Sequence, residues 1–200
     1  MGQTLRQKEI IQEALLLIAE NGMEELTYRN LSDRMGITIP AFYRHYPSKA
    51  DILLGIIDHF EEVGSLSFLE AGVQGTDPMD KLRRTVLGHA RLFAEQSGLV
   101  AVLFPEEIGG RRREVHQAVL RVMKGNRQKI AALFREAAEA GLIRADVSPE
   151  RLAFFLMASL RLSVTLWRLG EKQTDLVAEV AELWEQLRRL LADPGKQSVA

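Results

Sequence analysis

The chain has 200 residues, enough for one globular domain with an appendage or for two modest domains, each with a buried core. Hydrophobic residues make up 46% of the chain and charged residues 26%, which excludes wholesale disorder, and the absence of cysteine excludes disulfides, thiolate metal sites and a cysteine nucleophile. The net charge of −1 argues against a protein that coats nucleic acid indiscriminately, although it leaves room for a local basic patch.

The first third of the chain is predicted to contain four helices, from apolar residues at helical spacing, N-cap residues and glycine stops. Thr27 and Thr38 are natural N-caps for two short helices, and Gly36 ends the first of these. The stretch 64–77 holds three glycines and indicates a frayed helix end followed by a linker. The predicted helices cover residues 5–20, 28–35, a short stretch from residue 38, and 48–63.

Proline and glycine divide the rest of the chain into five further helix-length pieces. These begin at about residue 77 and then cover about 97–104, 112–140, 150–169 and 174–191. No segment alternates apolar and polar residues as a strand does, so the predicted fold is all-α with about nine helices. No apolar run approaches about 18 residues and no signal peptide is recognisable, so we expect a cytoplasmic protein with no membrane partner.

The most informative segment runs from Thr27 to Lys49. Two short helices joined at Met35-Gly36-Ile37-Thr38 predict a helix-turn-helix, because the glycine permits the tight turn. We expect Leu31 and Phe42 to pack inward, which leaves the other face of the second short helix exposed. Small and apolar groups beside an arginine suit a DNA major groove, where methyl contacts recognise thymine and arginine recognises guanine. The outward residues are Thr38, Ile39, Pro40, Ala41 and Arg44.

The same segment carries a local positive charge. Over residues 28–49, the four basic residues against one acidic residue give +3 in an otherwise slightly acidic chain; they are Arg29, Arg34, Arg44 and Lys49 against Asp33. Hydroxyl, imidazole and ammonium donors around the second helix supply the groups that phosphate oxygens need; they are Thr27, Tyr43, His45 and Lys49. The alternative is that Tyr43, His45 and Tyr46 are partly buried residues that brace a small helical domain.

Residues Ile11 to Ile56 resemble the DNA-binding domain of the TetR/AcrR family of one-component repressors. The resemblance is specific, because the aromatic residues and the lysine fall in a fixed register after the glycine. The matching pieces are Ala14 with Leu17-Ile18-Ala19-Glu20-Asn21-Gly22, then Leu26-Thr27, Leu31-Ser32, Met35-Gly36-Ile37-Thr38, Phe42-Tyr43-Arg44-His45-Tyr46-Pro47-Ser48-Lys49 and Ile52-Leu53.

The resemblance implies a helix-turn-helix domain over residues 1–50, a connecting helix at about 48–63, and an all-helical regulatory and dimerisation domain over residues 51–200. It implies a homodimer on a palindromic operator in double-stranded DNA. The implied contacts to phosphates are those of Thr27, Tyr43, His45 and Lys49, with Arg29 entering or bordering the groove. The implied contacts to base edges are those of Thr38, Ile39, Pro40, Ala41 and Arg44.

The last two predicted helices are strongly apolar, and two interpretations stay open for them. They form either plain core or, as the resemblance implies, each subunit's share of a four-helix dimer interface. The residues expected at that interface are Leu156, Ser163, Val177, Val180, Trp184, Leu187 and Leu191.

Large apolar residues with a few polar neighbours predict a site for a small, mainly hydrophobic effector, which releases the repressor from DNA. The alternative is an ordinary core with polar residues at its rim. The run Arg111-Arg112-Arg113 is either a solvated face or the mouth of that site. The candidate lining residues are Leu87, His89, Arg91, Phe93, Leu103, Phe104, His116, Met123, Asn126, Phe155, Ser159 and Trp167.

Catalysis is the rival function of a different class, and the motifs that it needs are absent from the sequence. There is no Glu-x-x-His pair, no His-x-x-x-His pair and no glycine-rich phosphate loop. We therefore expect a ligand-responsive transcriptional regulator, a repressor rather than an enzyme, with no metal and no cofactor. The alternative is a DNA-binding scaffold that acts through a protein partner without a small-molecule effector.

Overall fold

The computed structural model of the chain describes residues 3–104 and 113–192. Over these ranges the chain forms nine α-helices and a 3₁₀ turn at Met23–Glu25, and it contains no strand, which confirms the predicted all-α class. The helices are α1 (Leu5–Asn21), α2 (Tyr28–Met35), α3 (Ile39–His45), α4 (Lys49–Gln74), α5 (Pro78–Glu95), α6 (Gly98–Leu103), α7 (Arg113–Glu139), α8 (Pro149–Leu169) and α9 (Leu176–Leu191).

Local capping explains where several helices begin. α1 starts in a capping box, in which the Thr4 hydroxyl accepts from the Gln7 amide and the Gln7 side chain accepts from the Thr4 amide. Ser148 caps α8 in front of Pro149, and the Asp175 carboxylate accepts from two amides at the start of α9. Threonine, serine and aspartate act here as N-cap residues because their side-chain oxygens accept from the first free amides of a helix.

α4 is longer than predicted. The stretch 64–74 was expected to be a frayed end and a linker, but the helix continues to Gln74. Gly64 and Ala71 are buried, and a Cβ at Gly64 would lie 3.4 Å from Nε2 of His89 on α5. Packing against α5 therefore keeps these residues helical despite the low helix propensity of glycine.

The chain divides into two compact units, which do not follow a cut at residue 50. The first unit joins Met1–Val63 with Glu95–Val122, and the second joins Gly64–Ala94 with Met123–Ala200. The predicted domain division at residue 50 stays a prediction.

The first unit has its core between α1 and the helices that pack on it. Ile11, Leu31, Phe42 and Ile56 are fully buried, as the apolar spacing predicted. α2 and α6 both pack on α1, and α3 packs on α2. Within the described parts, the first unit thus places the two short helices on a scaffold built from α1, α4 and α6.

The second unit contains the packed pair α8 and α9. Leu156 and Val164 of α8 are buried, as are Val180 and Trp184 of α9. By length and composition alone, α8 is apolar enough to cross a membrane, a test that the core helix of a soluble protein also passes. A third of its most apolar stretch is buried inside the protein.

Candidate DNA-binding surface and regulatory residues

The helix-turn-helix forms where the sequence predicts it. The Thr27 hydroxyl accepts from the Asn30 amide at the start of α2, and α2 ends at Gly36, whose φ of 64° lies in the left-handed region that favours glycine. The Ser32 hydroxyl then donates to the Ile37 carbonyl and closes the turn. Thr38 is the N-cap residue of α3, but its hydroxyl forms no capping hydrogen bond with the helix. The Thr38 hydroxyl therefore stays at the surface.

α3 presents the predicted base-facing residues to the outside. Phe42 anchors the helix with no exposed surface, while its opposite face is open. Arg44 is exposed, and within the part of the chain that the structure describes it forms no ion pair. Thr38, Ile39 and Pro40 are exposed as well, and Ala41 is half-buried. One face of α3 therefore combines methyl groups with a guanidinium that forms no ion pair among the described residues.

An aromatic cluster sets the position of α3 against α2. The rings of Tyr28 and Tyr43 lie 4.5 Å apart, and the Tyr28 hydroxyl donates to the Tyr46 carbonyl over 2.6 Å. Tyr43 nevertheless keeps half of its surface exposed, so its hydroxyl is available for a phosphate. Tyr28 is not among the residues predicted from the sequence, although it directly follows the N-cap residue Thr27.

Tyr46 fits the alternative of a bracing residue. It is buried, and burial raises the pKa of its phenol to about 12, with the carboxylate of Asp58 adding to the effect. Its hydroxyl has no hydrogen-bond partner among the described residues and lies against Gly55. A Cβ at Gly55 would come within 2.8 Å of that oxygen, so a larger residue there would displace the Tyr46 side chain.

Two of the basic residues are already engaged within the first unit. Arg34 bonds Glu20 at 2.6 Å and Glu13 at 3.4 Å, and the guanidinium lowers the pKa of the Glu20 carboxyl. The guanidinium of Arg34 is therefore paired with carboxylates of α1, and it adds less to the local positive charge than the count from the sequence suggests. The Lys49 ammonium donates to the Met23 carbonyl over 2.9 Å and so holds the 3₁₀ turn ahead of α2.

The other residues predicted to contact DNA around the helix-turn-helix differ in exposure. Thr27 and Arg29 are exposed at the start of α2, and the side chain of His45 is half-buried. The side-chain Nε2 of Gln7 donates to the His45 carbonyl over 3.2 Å, which connects the end of α3 to α1. The predicted phosphate contacts of Thr27, His45 and Lys49 stay predictions, and so does the place of Arg29 in or beside the groove.

The predicted dimer interface requires correction, because most of it is core within the single chain. Trp184 keeps 2% of its surface exposed, and four other residues of the set are buried like it. A side chain already buried in its own chain has no surface left for a partner. Only Val177 and Leu187 are half-buried. The buried members of the set are Leu156, Ser163, Val180, Trp184 and Leu191.

A different face of α8 and α9 is apolar and exposed; we call it the outer face. It follows one helical stripe on α8 and a shorter one on α9. Phe155 and Ser159, expected to line the effector site, lie on this face instead. The outer face consists of Phe155, Ser159, Leu162, Leu166 and Leu169 of α8 with Leu183, Leu187 and Leu190 of α9.

The other expected effector-site residues are distributed over both units. In the first unit Leu103 is buried, Phe104 is half-buried and His116 is exposed. In the second unit the members on α5 and α7 differ: Arg91 is exposed, whereas Met123 and Asn126 are half-buried. Arg91 and His116 therefore face outward. Arg111 and Arg112 lie outside the described residues. The buried members of the set in the second unit are Leu87, His89, Phe93 and Trp167.

His89 is a buried ionisable group of the second unit. Its Nδ1 lies 2.9 Å from the Thr85 carbonyl, and its ring meets Phe68 edge-on. Burial lowers the pKa of His89, and the nearby charge of Lys129 adds to that shift. Thr85 is buried on the same helix and was not predicted from the sequence, since a lone threonine inside a helix gives no distinctive signal. No group of three or more metal-ligating side chains occurs among the residues that the structure describes.

A helix-turn-helix with an exposed recognition helix and a helical second unit define a class of DNA-binding regulators. The family model "Bacterial regulatory proteins, tetR family" matches residues 10–56, and the model "Tetracyclin repressor-like, C-terminal domain" matches residues 102–183. Together they cover more than half of the chain. The chain therefore belongs to the TetR family and is a DNA-binding transcriptional regulator.

Some of the proteins to which the chain is similar match it over most of its length. The fatty acid metabolism regulator protein of Bacillus subtilis is 23% identical over 172 residues, which are 85% of this chain and 87% of that protein. The fatty acid degradation regulator FadR of Bacillus halodurans superposes with a TM-score of 0.80 at 22% identity, over 94% of this chain and 97% of the other. The structure of FadR from Bacillus subtilis in complex with stearoyl-CoA superposes with a TM-score of 0.71 at 22% identity, over 90% of this chain and 97% of that chain.

Proposed function

We propose that this protein is a cytoplasmic, homodimeric repressor that binds a palindromic operator and is released by a small, mainly apolar effector. The observation that carries the proposal is the exposed face of α3, where Ile39, Pro40 and Arg44 stand opposite the buried anchor Phe42. A major groove admits one such helix and distinguishes bases by methyl contacts and bidentate arginine bonds.

The dimer is supported by the outer face of α8 and α9. Leu162, Leu166 and Leu169 each expose more than half of their surface, in one continuous stripe. Soluble monomers rarely leave a contiguous apolar patch of this kind in water. Small residues on the same stripe, such as Ser159, allow a partner helix to approach closely. We therefore move the proposed interface from the predicted buried set to the outer face.

The effector class rests on the buried apolar residues of the second unit and on the relatives. Leu87 and Phe93 of α5 supply large apolar side chains. The Bacillus subtilis FadR structure contains stearoyl-CoA, and the relative in that species is named as a regulator of fatty acid metabolism. A long-chain acyl group is therefore the first apolar group to test on this chain, supplied as its ester with coenzyme A.

One observation favours the alternative of a scaffold with a protein partner. The C-terminal half of α4 exposes a second apolar stripe, formed by Leu66, Leu69 and Val73, which is separate in sequence from the outer face. In the scaffold model this stripe binds a protein while α3 holds DNA, and no small molecule is needed.

Selection of bound sequences from a random DNA pool tests the operator proposal. The full-length protein should enrich a palindrome with half-sites about one helical turn apart or somewhat further. Arg44→Ala should change the base preference within each half-site, at a cost of about 1–3 kcal/mol on the preferred sequence. Tyr43→Phe should weaken binding to all sequences alike. Enrichment of no palindrome would contradict the dimeric operator.

Displacement of operator DNA separates the effector model from the scaffold. Acyl-CoA esters of increasing chain length are added to the protein–operator complex, and release is followed by fluorescence anisotropy. The effector model predicts release by one range of chain lengths, with matching thermal stabilisation of the free protein. If no acyl-CoA releases DNA or stabilises the protein, the acyl effector is refuted. Capture of a protein partner that is lost in Leu69→Glu would then establish the scaffold.

A further inference from the structure

Tyr28, the first residue of α2, connects the two helices of the helix-turn-helix through its ring and its hydroxyl. The hydroxyl donates over 2.6 Å to the carbonyl of Tyr46, the residue that follows α3. The ring meets the Phe42 ring edge-on, with 6.1 Å between the centroids. Phe42 and Tyr46 are both buried, so the Tyr28 side chain is held against the core of the first unit.

The same Tyr28 ring supports one side of Tyr43. The two rings lie 4.5 Å apart and are tilted by 32°, a separation at which aromatic pairs attract each other. Tyr43 still exposes half of its surface. An exposed side chain with no such neighbour exchanges between several rotamers. The stacked Tyr28 ring therefore restricts the orientation of Tyr43 before DNA is bound.

The orientation of Tyr43 matters because a hydroxyl donates to a phosphate oxygen only over a short distance and a limited range of angles. A side chain that becomes ordered only on binding reduces the affinity, whereas one that is ordered in the free protein avoids this loss. The sequence neighbours of Tyr28, Thr27 and Arg29, are exposed at the same helix start. Tyr28 thus lies among the residues predicted to contact DNA, while its own side chain packs on α3.

We propose that Tyr28 is a positioning residue for DNA binding, whose ring holds the Tyr43 ring in the orientation in which the Tyr43 hydroxyl donates to a phosphate. Tyr28 acts through Tyr43 and makes no DNA contact of its own in this role. The stacked ring carries the role, whereas the hydrogen bond to the Tyr46 carbonyl stabilises the end of α3. The inference rests on the proposed mode of DNA binding, in which Tyr43 contacts a phosphate, and adds the residue that prepares this contact.

A double-mutant cycle tests the coupling between the two tyrosines. Wild type, Tyr28→Leu, Tyr43→Phe and the double variant bind a fluorescent duplex of about 30 base pairs and mixed sequence at low salt, since phosphate contacts do not require the operator. Tyr43→Phe and Tyr28→Leu should each weaken binding by about two- to tenfold. In the Tyr28→Leu background, Tyr43→Phe should change the dissociation constant by less than about twofold, because the hydroxyl is no longer positioned.

Tyr28→Phe separates positioning from stability. It keeps the ring on Tyr43 but loses the hydrogen bond to the Tyr46 carbonyl, so the melting temperature should fall while DNA affinity is retained. Asn30→Ala is the matched control on α2, since it loses the bonds from Nδ2 to the carbonyl and the carboxylate of Glu25 at 2.8 and 2.9 Å. Its melting temperature should fall as well, but Tyr43→Phe should weaken DNA binding by its full factor in the Asn30→Ala background.

Free wild-type protein with ¹³C-labelled tyrosine gives a check that needs no variant. The ring protons of Tyr28 and Tyr43 should show mutual nuclear Overhauser effects before DNA is added, because the rings are in contact. Their absence would overturn the inference even if Tyr28→Leu failed to fold.

The outcomes of the cycle separate this inference from the contact on which it rests. If Tyr43→Phe weakens binding but the two losses simply add, Tyr28 has only a structural role; the inference is refuted and the phosphate contact of Tyr43 stands. The same holds if Tyr28→Leu binds DNA like wild type. If Tyr43→Phe binds DNA as tightly as wild type, the phosphate contact is refuted and the positioning role falls with it.

Discussion

The contact between α6 and α1 depends on the absence of a single side chain. A Cβ at Gly98, the first residue of α6, would lie 2.2 Å from the carbonyl oxygen of Leu15 and 3.0 Å from its carbon. Both atoms belong to the backbone of α1, so no side-chain rotation can relieve the clash. Gly98→Ala must therefore displace α6 from α1 by about 1.2 Å to restore ordinary contact.

The size of the effect follows from two opposing contributions. Overpacking a close contact costs about 1–3 kcal/mol, and backbone atoms yield less readily than side chains. Alanine offsets up to about 1 kcal/mol through its higher helix propensity. We expect a net loss of about 2 kcal/mol, which lowers the melting temperature by roughly 4–8 °C for a chain of this length.

Thermal and urea unfolding of three proteins checks this prediction. Gly125→Ala is the matched control: Gly125 lies within α7, and its added Cβ meets nothing within 4 Å. It should gain about 0.5–1 kcal/mol, because alanine restricts the unfolded chain and favours helix. Because α2 packs on α1, Gly98→Ala should also weaken operator binding, although no residue of α3 changes. A Gly98→Ala protein as stable as wild type would refute the argument.

Three further predictions concern assembly, the turn before α2, and pH. Leu166→Glu should give a folded monomer in sedimentation, because Leu166 is exposed on the outer face. Trp184→Glu should unfold the protein instead, since Trp184 lies in the core. A Leu166→Glu protein that stays dimeric would contradict the proposed interface on the outer face. Lys49→Ala should lower the free energy of unfolding by about 1.5–3 kcal/mol, because the charged hydrogen bond to the Met23 carbonyl is lost. If the salt dependence of DNA binding is unchanged in this variant, Lys49 does not contact a phosphate. Burial lowers the pKa of His89 below its unfolded value of 6.5, so the unfolded state binds more protons. The free energy of unfolding of the wild type should then fall as pH drops through 6.5, by up to about 1.4 kcal/mol per pH unit. The exposed control His116→Gln should show the same fall, whereas His89→Gln should lose the part of the fall that His89 contributes.

The helix-turn-helix was predictable because its determinants are local. Thr27 caps α2 and Gly36 takes up the left-handed turn, and both signals are legible from residue type alone. The end of α4 was not predictable in the same way. Glycines at 64 and 72 argue for a helix end when only propensity is considered, and it is burial of Gly64 and Ala71 that keeps the segment helical.

The candidate DNA-binding residues were predictable from the sequence pattern. The pattern does not show which of the charged side chains near them are already paired within the chain. Arg34 and Arg44 look alike in the sequence. The structure shows Arg34 bonded to Glu20 of α1, a partner 14 residues away in the chain, while Arg44 is exposed on α3. Pairing over such a separation depends on how the helices pack, which composition and spacing do not specify.

The dimer interface shows why apolar spacing alone misplaces a surface. α8 is apolar on more than one face, so the set drawn from the sequence mixed Leu156 and Ser163, which are core, with neighbours that point outward. On α9 the inward residue Trp184 and the outward residue Leu183 are adjacent, about 100° apart around the helix. An amphipathic pattern shows that a helix has an apolar side. When two apolar stripes lie next to each other, only the packing of the chain separates the stripe that forms the core from the one left for a second copy.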